Sequence, residues 1–241
     1  MMDSNRVNNQ NTSHAVMSQR SEAQDSLDNF PTPPWATRAL IEYVIESGNK
    51  RFLNQMTCLE PACGAGHMAK TLSNYFGKVH AADIHPYGYG CIEDFIDSSY
   101  SKNQFDWVIT NPPFKLAEEF IIKGLSIAER GVAMLVRTVF IESVGRYDRI
   151  FSNNPPQKFA QFTERVPMVK GRLDKKASTA TGYAWIVWEK NIKDDCRLLW
   201  IPPCRKILEK EGDYDEVISS GPSSAKGESA LAKRLAQRIL L

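Results

Sequence analysis

The sequence predicts an α/β protein with a doubly wound, mostly parallel sheet that ends in an antiparallel C-terminal hairpin. Three observations carry that prediction. Short apolar runs alternate with segments of helical periodicity between residues 36 and 136. Gly- or Pro-containing turns follow the strand-like runs at 56–61 and 105–110. Two later strand-like runs, 158–164 and 183–189, have no helical pattern between them.

Taken in order, residues 1–29 are rich in Asn, Ser and Gln and poor in large apolar side chains. They bury too little surface to offset the entropy of ordering, so a disordered tail is expected there, with the folded domain over 30–203. FPTPPW (30–35) is a rigid extended turn, because its prolines fix the backbone and keep the preceding residues out of helix. ATRALIEYVIESG follows as a helix with Leu40, Ile41, Val44 and Ile45 on one face and Gly48 as its stop. MTCLEP (56–61) is the first strand and HMAKTLSNYF a helix ended by Gly77. KVHAAD (78–83) is the second strand, Cys91–Ile92 the third and FDWVIT (105–110) the fourth. KLAEEFIIKGLSIAE is a helix, GVAMLV (131–136) the fifth strand, and KFAQFTE and YAWIVWE the closing pair. Residues 204–241 read as a charged tail with a short amphipathic helix, where Leu231, Leu235 and Ile239 recur every fourth residue.

Hydrophobic residues make up 42% of the chain and charged residues 24%, a soluble globular balance. No apolar run reaches the length that spans a bilayer, and the N-terminus lacks a signal-like apolar stretch, so a cytoplasmic protein without membrane contact is expected. The five cysteines form no C-x-x-C pair and the four histidines are not grouped with them, which predicts no metal site. Cys58 and Cys63 read as small buried fillers. A net charge of +2 leaves any nucleic-acid affinity to a local basic stripe.

The loop after the first strand, EPACGAGHMAKTL (60–72), fits three ligand classes. Gly64, Gly66 and Ala69 form G-x-G-x-x-A, a dinucleotide fingerprint, with Asp83 where a ribose-binding acid belongs. Gly64, Ala69, Lys70 and Thr71 approach a phosphate-binding P-loop, but alanine stands where that loop needs glycine, and Glu60 repels polyphosphate. A Gly-rich turn behind an acidic residue also suits a positively charged sulfonium cofactor.

The fourth strand is followed by Asn111-Pro112-Pro113-Phe114. Ligands of open α/β sheets bind at the C-terminal strand edge, where the strand order reverses. Two prolines there remove two backbone donors and leave carbonyl acceptors. The Asn111 side-chain oxygen and the Pro112 carbonyl can together accept both hydrogens of a planar amino group. That frees the nitrogen lone pair for an electrophile, and Phe114 offers a flat face for the ring or amide bearing the amine. Positioning and electrostatics then supply the acceleration without a strong base. The plainer alternative is a rigid turn between strand and helix.

With these residues in order, the chain resembles the S-adenosylmethionine (SAM) dependent amino-methyltransferases. It is most similar to N6-adenine DNA methyltransferases of the gamma motif order. The resemblance rests on Thr32-Pro33-Pro34 before the first strand, Glu60-Pro61-Ala62-Cys63-Gly64-Ala65-Gly66 after it, Asp83 ending the second strand, Asp94-Phe95 after the third, and Asn111 to Phe114. It covers roughly residues 30–190 and implies a seven-stranded Rossmann-like methyltransferase sheet. It implies SAM as cofactor, with Thr32 near the methionine end and Glu60, Ala62 and Gly64 lining the pocket. Asp83 is expected on the ribose hydroxyls, Ile84 on the adenine ring and Asp94 on the adenine amino group, with Glu93 as the alternative to Asp94.

The resemblance implies an amino group in DNA adenine, RNA adenine or a protein glutamine amide, and the T-P-P and E-P-A-C-G segments favour DNA. Reaching adenine in a duplex requires flipping it out of the stack, where Phe114 stacks on it. Between 158 and 176 the chain carries Lys158, Arg165, Lys170, Arg172, Lys175 and Lys176 against Glu164 and Asp174, a basic stripe that can neutralise phosphates. Lys170, Arg172, Lys175 and Lys176 are its candidate substrate contacts, and a solvated loop is the plain alternative. A NAD-dependent oxidoreductase, a non-catalytic SAM-binding module, and a partner docked through the C-terminal helix are the other readings.

Overall fold

The computed structural model describes residues 28–45, 50–190, 192 and 195–215. The expected amphipathic segment around Leu231–Ile239, the Gly48 helix stop and all of the N-terminal tail but Asp28 and Asn29 lie outside them.

An eight-stranded sheet organises the described chain, in the order β3-β2-β1-β4-β5-β7-β6-β8. The strands are β1 (Thr57–Glu60), β2 (Lys78–Asp83), β3 (Cys91–Ile92), β4 (Phe105–Thr110), β5 (Ala128–Arg137), β6 (Lys158–Phe162), β7 (Tyr183–Glu189) and β8 (Arg197–Ile201). Only β7 runs against its neighbours, pairing antiparallel with both β5 and β6. The fold is the expected doubly wound α/β sheet with a reversed C-terminal pair. It has one strand more than expected, because RLLWI joins the sheet edge parallel to β6.

The central strands are buried on both faces, which is why they read as near-continuous apolar runs. Alternation divides their side chains between two cores. Trp107, Ile109, Trp185 and Val187 face a layer containing α1 (Pro34–Ala39) and α2 (His67–Leu72). Val108, Val132, Met134 and Ile186 face the layer of α3 (Ala117–Ile127). Three helices are shorter than their periodicity predicts, and α2 ends at Leu72 rather than Phe76. The first passes at Leu40 into a π-helical turn that ends at Val44. α3 stops at Ile127, and Ala128 and Glu129 begin β5, with an irregular register between Phe105 and Trp107 absorbing the early start.

Residues beyond 204 start as a packed segment. A short helix, Arg205–Leu208, is followed by Asp213, whose carboxylate takes a two-pronged hydrogen bond from Arg38 of α1 at 2.7 and 2.8 Å. Arg38 also donates to the Leu208 carbonyl, and the pair is almost wholly buried.

Candidate active site

β1 and β4 are sheet neighbours, yet from β1 the chain winds to one edge and from β4 to the other. The loops leaving their C-terminal ends, 61–66 and 111–114, therefore lie side by side at the reversal point, where open α/β sheets leave a crevice.

The first loop is shaped by two glycines with left-handed backbones, Gly64 at φ 52° and Gly66 at φ 86°. A side chain at Gly66 would also strike the Tyr89 ring, which lies within 2.4 Å of the position a Cβ would take. The loop folds back so that the Gly64 amide donates to Asp83 Oδ2 at 2.8 Å, while the His85 amide donates to Oδ1 at 2.9 Å. Each oxygen keeps a further lone pair for a hydroxyl. Burial pushes the Asp83 carboxyl up, and the hydrogen bonds from His85 and Gly64 work against it.

Glu60, at the end of β1, is 2% exposed and its Oε2 has no hydrogen-bond partner. Burial pushes its carboxyl well above the ordinary range, the Asp83 charge adds to this, and the Ala69 amide opposes it. Two carboxyl groups thus share a buried site, and the one cationic influence on them is the charge of His85, which lowers Asp83. A positively charged ligand fits such a site and a polyphosphate does not. Lys70, the residue a P-loop would aim at phosphate, lies over the Tyr89 ring at 5.0 Å.

The other expected pocket residues divide in character. Thr32 is buried with an unpartnered Oγ1. Ala62 and Ile84 are half-buried. Asp94 is half-buried and accepts from the Ile96 amide at 2.9 Å through Oδ1. Glu93 is engaged elsewhere, by the Tyr100 hydroxyl and by His80 at 4.0 Å. Phe95 is buried in the core, 4.8 Å from Phe120 between ring centroids.

The second loop holds an oriented amide. Asn111 donates through Nδ2 to the Phe30 carbonyl at 2.9 Å, which leaves its Oδ1 buried and without a partner. Because the Phe30 carbonyl can only accept, it fixes which side of the amide carries the hydrogens. Pro112 is buried and Pro113 half-buried, and the Pro113 carbonyl accepts from Leu116. The Phe114 amide donates to Asp28. Its ring meets Phe30 at 5.2 Å on one side and the Arg137 guanidinium at 3.9 Å from its centroid. Asp28, Phe30 and Arg137 were not expected here from sequence; none has a local motif, and Arg137 is simply the last residue of β5.

The basic stripe changes in membership. Lys158 is buried at 1% exposure, pairs with Glu189 at 2.7 Å and donates to the Val44 carbonyl, so it is not a surface charge. Arg172 pairs with Asp174 at 3.2 Å, Lys175 lies 3.8 Å from Glu209, Lys176 is exposed and Lys170 half-buried. The loop carrying them runs beside the site: Gly171 donates to the Asn29 carbonyl and Met168 Sδ lies 3.8 Å from Asn111 Nδ2. Among the described residues no grouping of His, Cys, Asp and Glu could hold a metal ion, and no helix is long and apolar enough to cross a membrane.

No family model and no curated protein sequence matches the chain. Solved structures do. The modification subunit assigned to a type I restriction enzyme of Vibrio vulnificus aligns at TM-score 0.52 and 14% identity, over 72% of this chain and 47% of that one. The methyltransferase subunit of the type I restriction-modification system of Streptococcus thermophilus aligns at 0.51 and 11%, over 87% and 52%. A protein of Pyrococcus horikoshii assigned as an RNA methyltransferase aligns at 0.50 and 16%, over 70% and 90%. The chain thus spans about half the length of each restriction-modification subunit. These likenesses show the fold alone: a Rossmann-like sheet of the kind those methyltransferases carry.

Proposed function

We propose that the protein transfers a methyl group from SAM to an exocyclic amino group, N6 of adenine in DNA. The observation that carries this reading is Asn111, whose amide is oriented by the Phe30 carbonyl so that a buried oxygen is left open beside the Phe114 ring. A buried acceptor without a partner is costly, and an incoming N–H removes that cost.

When bound, SAM would supply an electrophilic methyl group on a sulfonium sulfur, the sulfur keeping the S–C electron pair as the amine lone pair takes the methyl. Glu60, Ala62 and Gly64 would line the pocket beneath the methionine end of the cofactor, Thr32 would lie near that end, and Asp83 would take its ribose hydroxyls. Ile84 packs on the cofactor adenine and Asp94 accepts from its amino group, since Glu93 is already engaged. Asn111 Oδ1 and the Pro112 carbonyl accept the two hydrogens of the target amine and stabilise the positive charge that develops on its nitrogen. The departing proton passes to solvent after the bond forms. The Phe114 ring stacks on the target base, and Lys170, Arg172, Lys175 and Lys176 meet phosphates. The T-P-P and E-P-A-C-G segments favour DNA, and two of the structural neighbours described above are named as subunits of type I restriction or restriction-modification systems.

The test is methyl transfer from labelled SAM to duplex DNA by the intact protein and by Asn111→Ala. Loss of at least a hundredfold in rate is expected, the scale of removing one charge-stabilising hydrogen-bonding group, with SAM binding retained. Unchanged transfer in the variant removes Asn111 from the chemistry.

A further inference from the structure

Arg137 lies where the proposed substrate must go. It ends β5 and is exposed, and its guanidinium covers Phe114 at 3.9 Å from the ring centroid. Phe30 packs against the same ring at 5.2 Å. A planar group slipped between ring and guanidinium needs about 7 Å between them, twice a contact distance of ~3.5 Å. The face is therefore closed until the arginine moves.

Charge decides whether the arginine moves aside or becomes the second wall. The target amine gains positive charge as the methyl group arrives. A guanidinium stacked on the same base repels that charge in a site screened from water. An arginine that leaves an aromatic face needs another partner, and its fork-shaped donor set matches phosphate. A nucleic acid brings a phosphate within reach of every base, whereas a protein glutamine amide brings none.

We propose that Arg137 is a substrate-operated latch, closing the stacking face of Phe114 in the free protein and released from it by a phosphate of the DNA strand bearing the target base. Arg137 is thus a positioning residue, and the proposal rests on the methyl-transfer reading above. Tyr183 is the cross-strand register partner of Arg137 on β7, and burial pushes its pKa up while the Arg137 charge opposes the shift.

The latch makes opposite demands on substrates with and without phosphate. In Arg137→Ala, binding of an adenine-containing duplex oligonucleotide, read by fluorescence anisotropy, weakens about tenfold, the scale of one charge-assisted phosphate contact. The slope of log K against log salt falls in magnitude by about 1. Methyl transfer to free adenosine rises about two- to fivefold, because nothing has to leave the ring. Arg137→Lys keeps the salt slope, loses the planar stack and also raises the adenosine rate. It carries the test if Arg137→Ala fails to fold by circular dichroism. An unchanged salt slope in Arg137→Ala together with no gain on adenosine overturns the latch alone, provided the intact protein methylates DNA. Methylation confined to protein glutamine, or no binding of the oligonucleotide, overturns the latch and the DNA reading together.

Discussion

Replacing Glu60 by glutamine tests the cofactor pocket in two directions at once. Its carboxyl is 2% exposed, one oxygen has no partner, and the nearest titratable neighbour that moves it is another acid, Asp83. In the protein without ligand this group is a liability at neutral pH. The folded-state pKa is raised, so the folded protein holds a proton that the unfolded chain has released. The stability it contributes is fully present below the ordinary glutamate value and is lost as pH rises through the raised folded value. Glu60→Gln removes that loss. An unsatisfied buried polar group costs about 1–3 kcal/mol, and even ~1 kcal/mol raises Tm by roughly 2–4 °C in a chain of this size. Ligand binding should move the other way. A carboxylate facing a cation contributes about 1.5–3 kcal/mol as a charge-assisted contact, so SAM affinity should fall about ten- to hundredfold. The wild-type affinity should also rise with pH, because the cation binds the deprotonated carboxyl, and the variant should lose that slope. Thermal melts from pH 5 to 8 with and without SAM, joined to calorimetric titration, read all of these quantities. A variant that melts lower than wild type without ligand, and binds SAM equally well, removes Glu60 from the cofactor pocket.

The remaining predictions concern the scaffold. Lys158→Met leaves Glu189 as an unpaired buried charge and should cost about 3–5 kcal/mol. The double variant Lys158→Met with Glu189→Leu should recover most of that loss, and equal melting of single and double variants would show that the pair is not coupled. Gly66→Ala forces a side chain into a left-handed backbone and against the Tyr89 ring, and should cost about 1–3 kcal/mol in denaturant unfolding. The same substitution should weaken SAM binding, since the loop carries Gly64 and its hydrogen bond to Asp83.

Much of this architecture was legible in the chain because its central strands are buried on both faces. FDWVIT and YAWIVWE occupy the residues their apolar runs indicate. β8 was not read, although RLLWI is an apolar run, because it lies at the sheet edge with Leu198 and Trp200 exposed and no turn signal pairs it with a neighbour. The early start of β5 was hidden for a different reason: Ala128 and Glu129 continue a helical pattern, and only pairing with Phe105 makes them strand. At the candidate site, local motifs marked Glu60, Gly64, Asp83 and Asn111. The residues that complete it come from afar. Phe30 reaches Asn111 across 81 positions and Asp28 reaches Phe114 across 86, separations on which a motif is silent. Lys158 shows the converse error. A count of charges along a segment reports sign and spacing, but whether a lysine meets solvent or a buried glutamate is set by the strand pairing of β6 with β7.

The atom that receives the methyl group distinguishes the possible reactions. Incubation with methyl-labelled SAM and separate pools of duplex DNA, RNA and protein extract, followed by digestion and mass spectrometry of the labelled monomer, decides it. N6-methyladenine from DNA, absent with Asn111→Ala, is the expected product. Label recovered only as methylglutamine, or only from RNA, would contradict the substrate assignment while leaving the cofactor pocket standing; no label in any pool despite SAM binding would contradict the proposed catalysis itself.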